Sequence, residues 1–559
     1  MRKTLFAFLL TIALLAPTAA FAQAVKITPA ERKIAEAITA DQMSAWLHFV
    51  ASDAMGGRDT PSVGLDITAE FLKMNLQRWG FKGAGDNGTF FQKMGLRRDG
   101  VNAAETFVTV NGQKFVYGED LVRVSGNATG ASSPKIVYAG NGWMIKSKNL
   151  NPYAGIDVKG KIIAVFGEGQ VGGRSLVPLP AGVTQADLTG TRGTDWADAV
   201  SYARDNGAAG VMVLSSNFLN DNWSAVTANF GRSRTVVDKL TPATPADQSG
   251  TPLPTVFIAS RKLTNAIFAG ESANPLAGAT NSFDVSKDFS VAISVKPEIV
   301  WTQNVVALWE GSDPVLKNEM VAVGAHYDHV GTNPNAPGPD KIWNGADDDG
   351  SGTVAVLAIA EALAKSKVRP KRSVLLVWHA GEEKGLWGAN YFNKFPTVDI
   401  KNVIAQLNID MIGRSLDPAK VIKCGQGVRR CNENLTKANE IYVIGSEMMS
   451  STLGAITKGT NNAYLKMDYN YKYDDPNDTE RFFFRSDHFY YAQNGIPISF
   501  WFDGVHEDYH QPEDHPDKID YQKMEKVTRT IFLTMWELTD LKERPKVDKK
   551  LPPELTGER

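Results

Sequence analysis

Residues of the kind that bind divalent cations cluster between positions 326 and 510 of this chain. Residues 321–325 are an apolar run that reads as a buried strand ending in His326-Tyr327-Asp328. A loop rich in Pro, Gly and Asn follows, then Asp347-Asp348-Asp349, then Gly350-Ser351-Gly352 opening an apolar helix. Three adjacent carboxylates beside a buried strand repel one another, and a cation makes the arrangement favourable. The competing reading is a solvated acidic turn, since Asp near a helix N-terminus is also stabilised by the dipole. Further on, one strand ends in His379-Ala380-Gly381-Glu382-Glu383, another in Asn408-Ile409-Asp410, and Asp508-Tyr509-His510 follows the last. Seven of the eight histidines fall between 326 and 515. The set His326, Asp348, Glu383, Asp410 and His510 suits two zinc ions, each taking one His and one carboxylate and sharing a bridging carboxylate. Adjacent side chains at a strand-to-helix turn diverge. Glu383 therefore reads as a ligand and Glu382 as a general base, acting on water whose pKa zinc lowers towards ~7.

Those side chains need a rigid scaffold. Apolar segments at 305–309, 321–325, 373–378, 403–407 and 496–501 alternate with helical periodicity at 353–366, 384–395, 486–494 and 521–541. This predicts an α/β fold, a mixed, mostly parallel sheet covered by helices on both faces. In such sheets the site lies beyond the carboxyl ends of the strands, where the polar residues sit. Upstream, one helix is expected over 30–51 and another over 67–79. The polar loop 52–59 between them reads equally as a surface turn or as lining for the site. Residues 134–297 read as a smaller mixed α/β module without catalytic spacing. Its strands are expected at 135–139, 161–166, 211–214 and 253–258, its helix at 196–206, and a long polar loop at 216–250.

Charge is balanced, with 60 Lys+Arg against 62 Asp+Glu and no basic block, so nucleic acid and anionic membrane gain no support as partners. Arg2-Lys3, the apolar run 5–16 and Ala20-Phe21-Ala22 form a signal peptide, residues 1–22. The apolar run falls short of the ~20 residues a membrane span needs, so no anchor is expected. The mature chain is expected to be exported, periplasmic or secreted. In such a compartment Cys424 and Cys431 read as a small-loop disulfide, with two free thiols as the alternative.

GAHYDH, NGADDDGSG, HAGEEKGLWGA, NIDMIG, RSDHF and EDYHQPED resemble, in order, the motifs of the co-catalytic di-zinc aminopeptidases, a superfamily that includes folate hydrolase and glutaminyl cyclase. ASDAMGGRDT and GDNGTFFQ extend the resemblance to residues 45–92. NPYAGIDVKGKIIAVF, NGAAGVMVL and LPTVFIASR resemble a protease-associated (PA) domain. The domains implied are 23–125 (first part of the peptidase domain), 126–297 (PA insertion), 298–545 (zinc peptidase domain) and 546–559 (tail). The resemblance implies that Asp348 bridges two zinc ions, that His326 and Asp410 hold one and Glu383 and His510 the other, and that the peptide bond after Asp348 is cis. It implies an exopeptidase, foremost an aminopeptidase acting on peptides with a free N-terminus, in which a zinc-bridged hydroxide attacks and Glu382 is the base. A glutaminyl cyclase, a carboxypeptidase or a receptor-like binding protein are the alternatives. Asp328 is placed to orient the His326 ring and Asp514 that of His510. His329 and His379 read as supporting or packing residues, and His506 and His515 as rivals to His510. His488 reads as a pocket-shaping residue, and Tyr469, Tyr471 and Tyr473 as candidates to stabilise the tetrahedral intermediate. Phe500, Trp501 and Phe502 read as apolar lining or core.

Overall fold

The structure is a computed structural model that describes residues 25–125, 129–169, 171, 176–231, 234–241, 254–277, 281–425 and 430–556. The expected leader, 1–22, lies outside the described residues. Two compact units emerge, one made of the residues up to Lys93 and from Thr302 onward, the other of Met94–Trp301. Residues 94–125 belong to the second unit, ahead of the expected start of the insertion at 126.

The larger unit is built on a mixed sheet of β1 (Val295–Trp309, in this unit from Thr302), β2 (Met320–His326), β3 (Ser373–His379), β4 (Val403–Ile409), β5 (Glu440–Ile444), β6 (Asp468–Asn470) and β7 (Ile498–Phe502). The spatial order is β1-β3-β2-β4-β7-β5-β6. Strands β3, β2, β4 and β7 run parallel, whereas β1 pairs antiparallel to β3 and β5 antiparallel to β7. Every residue of β2, β3 and β4 is buried, as a sheet covered on both faces requires. Alternation sorts their side chains. Val321, Val323 and Ala325 pack with α1 (Pro29–Ala35), α2 (Ala40–Val50), α3 (Val63–Arg78), α4 (Gly352–Lys365), α6 (Ser451–Ala463) and α8 (Tyr521–Asp540), while Met320 and Ala322 face Phe392 of α5 (Trp387–Lys394) and Tyr491 of α7 (His488–Gln493). Helix α4 is apolar nearly all round and correspondingly buried along its length.

Several expectations are corrected. The helix expected over 30–51 is two, because Thr39 leaves helical geometry and its hydroxyl accepts the Gln42 N–H, starting α2 afresh. β5, β6 and α6 occupy a stretch the sequence reading left unassigned. In the second unit the helix expected at 196–206 spans Ala199–Asp205, capped by Asp198. The loop expected at 216–250 holds helices Asn217–Asp221 and Trp223–Phe230 and a strand Arg234–Val237; residues 242–250 lie outside the described residues. That unit has a six-stranded sheet, of which Ile136–Tyr138, Ile162–Gly167, Gly210–Ser215 and Thr255–Ala259 run parallel, and a four-stranded antiparallel sheet. No helix among the described residues is long and apolar enough to cross a membrane.

The segment 52–59 is neither a surface turn nor pocket lining. Gly56 and Gly57 take positive φ in a short 3-10 turn, which delivers Arg58 into the interior of the larger unit, fully buried. Its guanidinium donates to the carbonyls of Tyr327 (3.0 Å), Val50 (2.7 Å), Asn344 (2.7 Å) and Gly345 (2.8 Å). It thus ties the N-terminal helices to both ends of the loop that follows β2. Arg58→Met leaves those acceptors unpaired, and we expect a loss of about 2–4 kcal/mol. Urea unfolding followed by tryptophan fluorescence measures it, and an unchanged midpoint would contradict the tie.

Candidate metal centre

Each of the five expected ligands arrives at the carboxyl edge of the sheet. His326 is the last residue of β2, Asp410 follows β4, Glu382 and Glu383 follow β3 by a three-residue turn, and Asp508-Tyr509-His510 lies beyond β7. Asp348 comes from the tight turn Ala346–Ser351 ahead of α4, where the Asp348–Asp349 peptide bond is cis. Gly345, at φ +57°, opens this turn, and a Cβ there would lie 2.3 Å from the Asp348 carbonyl oxygen. Only glycine fits.

The three consecutive aspartates do not share one role. Asp347 Oδ1 accepts the Gly413 N–H (2.7 Å), and its other oxygen faces His506 Nε2 at 3.4 Å. Asp349 Oδ1 accepts the N–H groups of Gly352 (2.9 Å) and Met411 (3.1 Å). Of the three, Asp348 alone points at His326 and His510, with Oδ1 3.3 Å from His326 Nε2 and Oδ2 3.0 Å from His510 Nε2. Mutual repulsion of the triplet is therefore not what calls for a cation. One carboxylate is aimed at the centre and its neighbours brace the turn.

Around Asp348 the donors fall into two groups, His326–Asp348–Asp410 and His329–Asp348–Glu383–His510, each compact enough to hold one ion. In the first, His326 Nε2 lies 3.6 Å from Asp410 Oδ1 and 3.9 Å from Glu382 Oε2. In the second, His510 Nε2 is 3.0 Å from Glu383 Oε2. His329 Nδ1, Asp348 Oδ2, Glu383 Oε1 and His510 Nε2 are buried, and none has a hydrogen-bond partner among the described residues. Orphaned buried donor atoms converging on one point fit a divalent cation with N and O ligands.

The electrostatics point the same way. Burial opposes ionisation of Asp348, yet His326, His329 and His510 outweigh it and hold its pKa well below the usual range. Burial also disfavours a charged His510, but Asp348 and Glu383 push its pKa up to about 10. Burial and the neighbouring Asp410 and Glu383 carboxylates raise Glu382 well above 4.5 against the pull of His326, and burial lifts Asp487 to about 8. Histidine protons stand in for positive charge that the surplus of buried carboxylates demands.

The supporting contacts differ from expectation in two places. His326 Nδ1 lies 3.2 Å from the Asp328 backbone carbonyl and 3.7 Å from its carboxylate. That carboxylate instead accepts the Glu382 N–H (3.1 Å) and the Thr60 hydroxyl (3.0 Å), so it positions the turn carrying Glu382. Asp514 does not orient His510; it accepts the N–H groups of Asp347 (3.0 Å) and Asp348 (3.2 Å), fixing the Asp348 backbone. His506 faces Asp347 at 3.4 Å and meets Arg414, and His515 faces Asp340, so both are turned away from the group that contains His510. His379 meets the Tyr491 hydroxyl and packs on Phe392, while His488 bonds the Phe483 carbonyl and stacks on Phe500. Cys424 and Cys431 are disulfide-bonded.

A cleft beside the centre is lined by Asp348, Glu382, Asp410, Met411, Phe482, Arg485, Phe500, Phe502, Val505 and Tyr509. Phe500 and Phe502 face it, and Trp501 between them turns to the opposite core. None of Tyr469, Tyr471 and Tyr473 reaches this cleft. Tyr469 accepts from Trp501 Nε1, Tyr471 carries Lys458 on its ring and Tyr473 packs on Phe482. The phenol present is Tyr509, stacked on His510 with 4.0 Å between ring centres. Its place beside a ligand was a signal the sequence already carried.

Residues 304–535 match the family model described as Peptidase family M28. A probable leucine aminopeptidase 2 from Aspergillus oryzae is 32% identical over 38% of this chain and 36% of its own length. The chain covers between 22% and 56% of the length of the first curated relatives it matches. Among solved structures, an aminopeptidase from Aneurinibacillus sp. strain AM-1 aligns over 94% of this chain and 99% of its own at 15% identity and a TM-score of 0.47. A zinc aminopeptidase from Bacillus subtilis does so over 93% and 99% at 16% and 0.45.

Removing the Asp514 carboxylate frees the Asp348 backbone. Asp514→Ala is expected to weaken affinity for zinc by roughly 10–100-fold, read by competition with a chromophoric chelator. Unaltered affinity would show that Asp514 braces nothing the metal needs.

Proposed function

We propose, from the match of residues 304–535 to the Peptidase family M28 model, that the chain is an exported metallo-aminopeptidase holding two zinc ions. The observation that carries the reading is the convergence of five candidate ligands, three of them buried, from four strand ends and the Asp348 turn on two adjoining positions, with Glu382 beside them and unused by either. His326, Asp348 and Asp410 would hold one ion and Asp348, Glu383 and His510 the other. When bound, the ions polarise the scissile carbonyl and make the attacking water more acidic.

The chain's own residues supply the rest. Glu382 Oε2 takes the proton of the attacking water and returns it to the leaving amine. The Asp328 carboxylate, through the Glu382 N–H, fixes that carboxylate's reach. The Tyr509 hydroxyl donates a hydrogen bond to the oxygen that becomes negative in the tetrahedral intermediate. The free α-amine of the substrate is a cation attracted to the carboxylates Asp348, Glu382 and Asp410 at the cleft wall. Phe482, Phe500, Phe502, Met411 and Val505 offer an apolar surface to the N-terminal side chain, so large aliphatic or aromatic residues are the preferred class. This agrees with the leucine aminopeptidase name of the Aspergillus relative. The second unit, Met94–Trp301, is proposed as the PA domain of this enzyme.

The purified mature protein should cleave Leu-initiated peptides and leave their N-acetylated forms intact; comparable cleavage of both would remove the aminopeptidase reading. Glu382→Gln is expected to keep two zinc ions and lose ~10³-fold or more in kcat; loss of metal would mean the two glutamates are exchanged. Tyr509→Phe should lower kcat by ~10–10³-fold at similar KM, and unchanged kcat would exclude the phenol from the reaction.

A further inference from the structure

His329 stands three residues beyond His326 in HYDH, and the function described above gives it no task. Its ring is fully buried. Neither nitrogen has a hydrogen-bond partner among the described residues, although an imidazole always carries at least one N–H and buried polar groups are nearly always paired. Nδ1 lies 2.8 Å from Glu383 Oε1 and 3.6 Å from Asp348 Oδ2. The shorter contact is not aligned as a hydrogen bond, since both atoms remain unpartnered. The ring also meets His510 edge-on, with 5.6 Å between centres, so both imidazoles border the same space.

A tetrahedral ion with bonds of ~2.0–2.2 Å to nitrogen and oxygen sets its ligand atoms roughly 3.3 Å apart. The separations among the donors here are 2.8 Å and 3.6 Å for His329 to Glu383 and Asp348, and 3.0 Å and 3.0 Å for His510 to the same two residues. They scatter about that edge length. His329, Asp348, Glu383 and His510 form one group of ligand atoms within 4.8 Å of one another, whereas the adjoining group has three members, His326, Asp348 and Asp410.

We propose that His329 Nδ1 is a fourth protein ligand at the metal position of Asp348, Glu383 and His510, which makes the two positions unequal. It rests on the two-zinc reading above. Four protein donors close a tetrahedral shell, the pattern of structural zinc, while three leave a coordination place free. The three-donor position is also the one beside the cleft, whose wall includes Asp410, Asp348 and Glu382 but neither His329 nor Glu383. The closed position then anchors the bridging Asp348 and exchanges metal slowly. The open one meets the substrate and exchanges readily. Glu383 is shared between two imidazoles, one on each oxygen, which fixes its orientation and keeps it away from the proton path assigned to Glu382.

The holoenzyme loaded with zinc and titrated with a chelator, metal per chain being read by elemental analysis, tests this. Wild type should release two ions in steps at least ~100-fold apart in chelator concentration. In His329→Ala the tighter step should weaken by ~100-fold or more, bringing the two together. The wild-type protein given one equivalent of zinc adds a readout that no folding defect can mimic. X-ray absorption should show two imidazole rings on the zinc. One ring, or an unaltered tight step in His329→Ala alongside two bound ions in wild type, overturns this inference and leaves the aminopeptidase reading standing. A wild-type chain that binds no zinc overturns both.

Discussion

Negative charge buried at the edge of a parallel sheet is the constraint on which this structure depends. Asp347, Asp348, Asp349, Asp410, Asp487 and Asp514 are all nearly or fully buried, and Glu382 and Glu383 stand beside them. Ionised carboxylates away from water are costly unless paired. The protein answers part of that cost itself. Backbone N–H groups of Gly352, Met411 and Gly413 serve Asp349 and Asp347, and those of Asp347 and Asp348 serve Asp514. Arg414 bonds Asp508 and lies near His506. Of the carboxylate oxygens still without a hydrogen-bond partner among the described residues, Asp348 Oδ2 and Glu383 Oε1 belong to the candidate metal group, while Asp347 Oδ2, Asp349 Oδ2 and both Asp487 oxygens do not.

That division of labour explains why the site sits at this sheet edge. Parallel strands β3, β2, β4 and β7 end side by side, so residues far apart in sequence reach one rim with their backbones already paired in the sheet. Only short turns then have to be shaped. The turns take conformations that ordinary residues avoid. Met411 and His510 lie at positive φ (57° and 53°) and Gly345 at 57°. Such geometry persists where surrounding contacts over-determine it, and here Asp349 on Met411 N and the Trp343 indole on the His510 carbonyl do so.

The alternation of strands and helices and the polar residues at strand ends were legible in the sequence, because burial on both faces writes β2, β3 and β4 as apolar runs and leaves their last residues for chemistry. The five candidate ligands of the proposal could be picked out for that reason. What could not be read is which way adjacent side chains turn. Asp347, Asp348 and Asp349 are chemically identical, and only the backbone of the turn decides that the middle one faces the histidines. Asp328 and Asp514 stood in the right neighbourhood but serve backbone N–H groups, which no side-chain pattern reveals. β5, β6 and α6 were missed because their stretch is short-stranded and rich in Asn, Lys and Tyr. The break at Thr39 was missed because one capping hydroxyl decides it within an otherwise unbroken apolar period.

Strand β7 shows how closely specificity is bound to the fold. Its period of two sends Phe500 and Phe502 to the cleft side and Trp501 to the core shared with α4 and α8. The strand is held in register on both sides, by β4 through Gln406 to Ile409 and by β5 through Tyr442 to Ile444. A slip of one residue would exchange the cleft wall for a tryptophan and leave two phenylalanines in a core shaped for an indole. The cleft wall therefore cannot drift without unpairing the strand that also supports Asp410, whose N–H donates to the Trp501 carbonyl at 3.3 Å. The same sheet fixes the candidate ligands His326 and Asp410 at its strand ends.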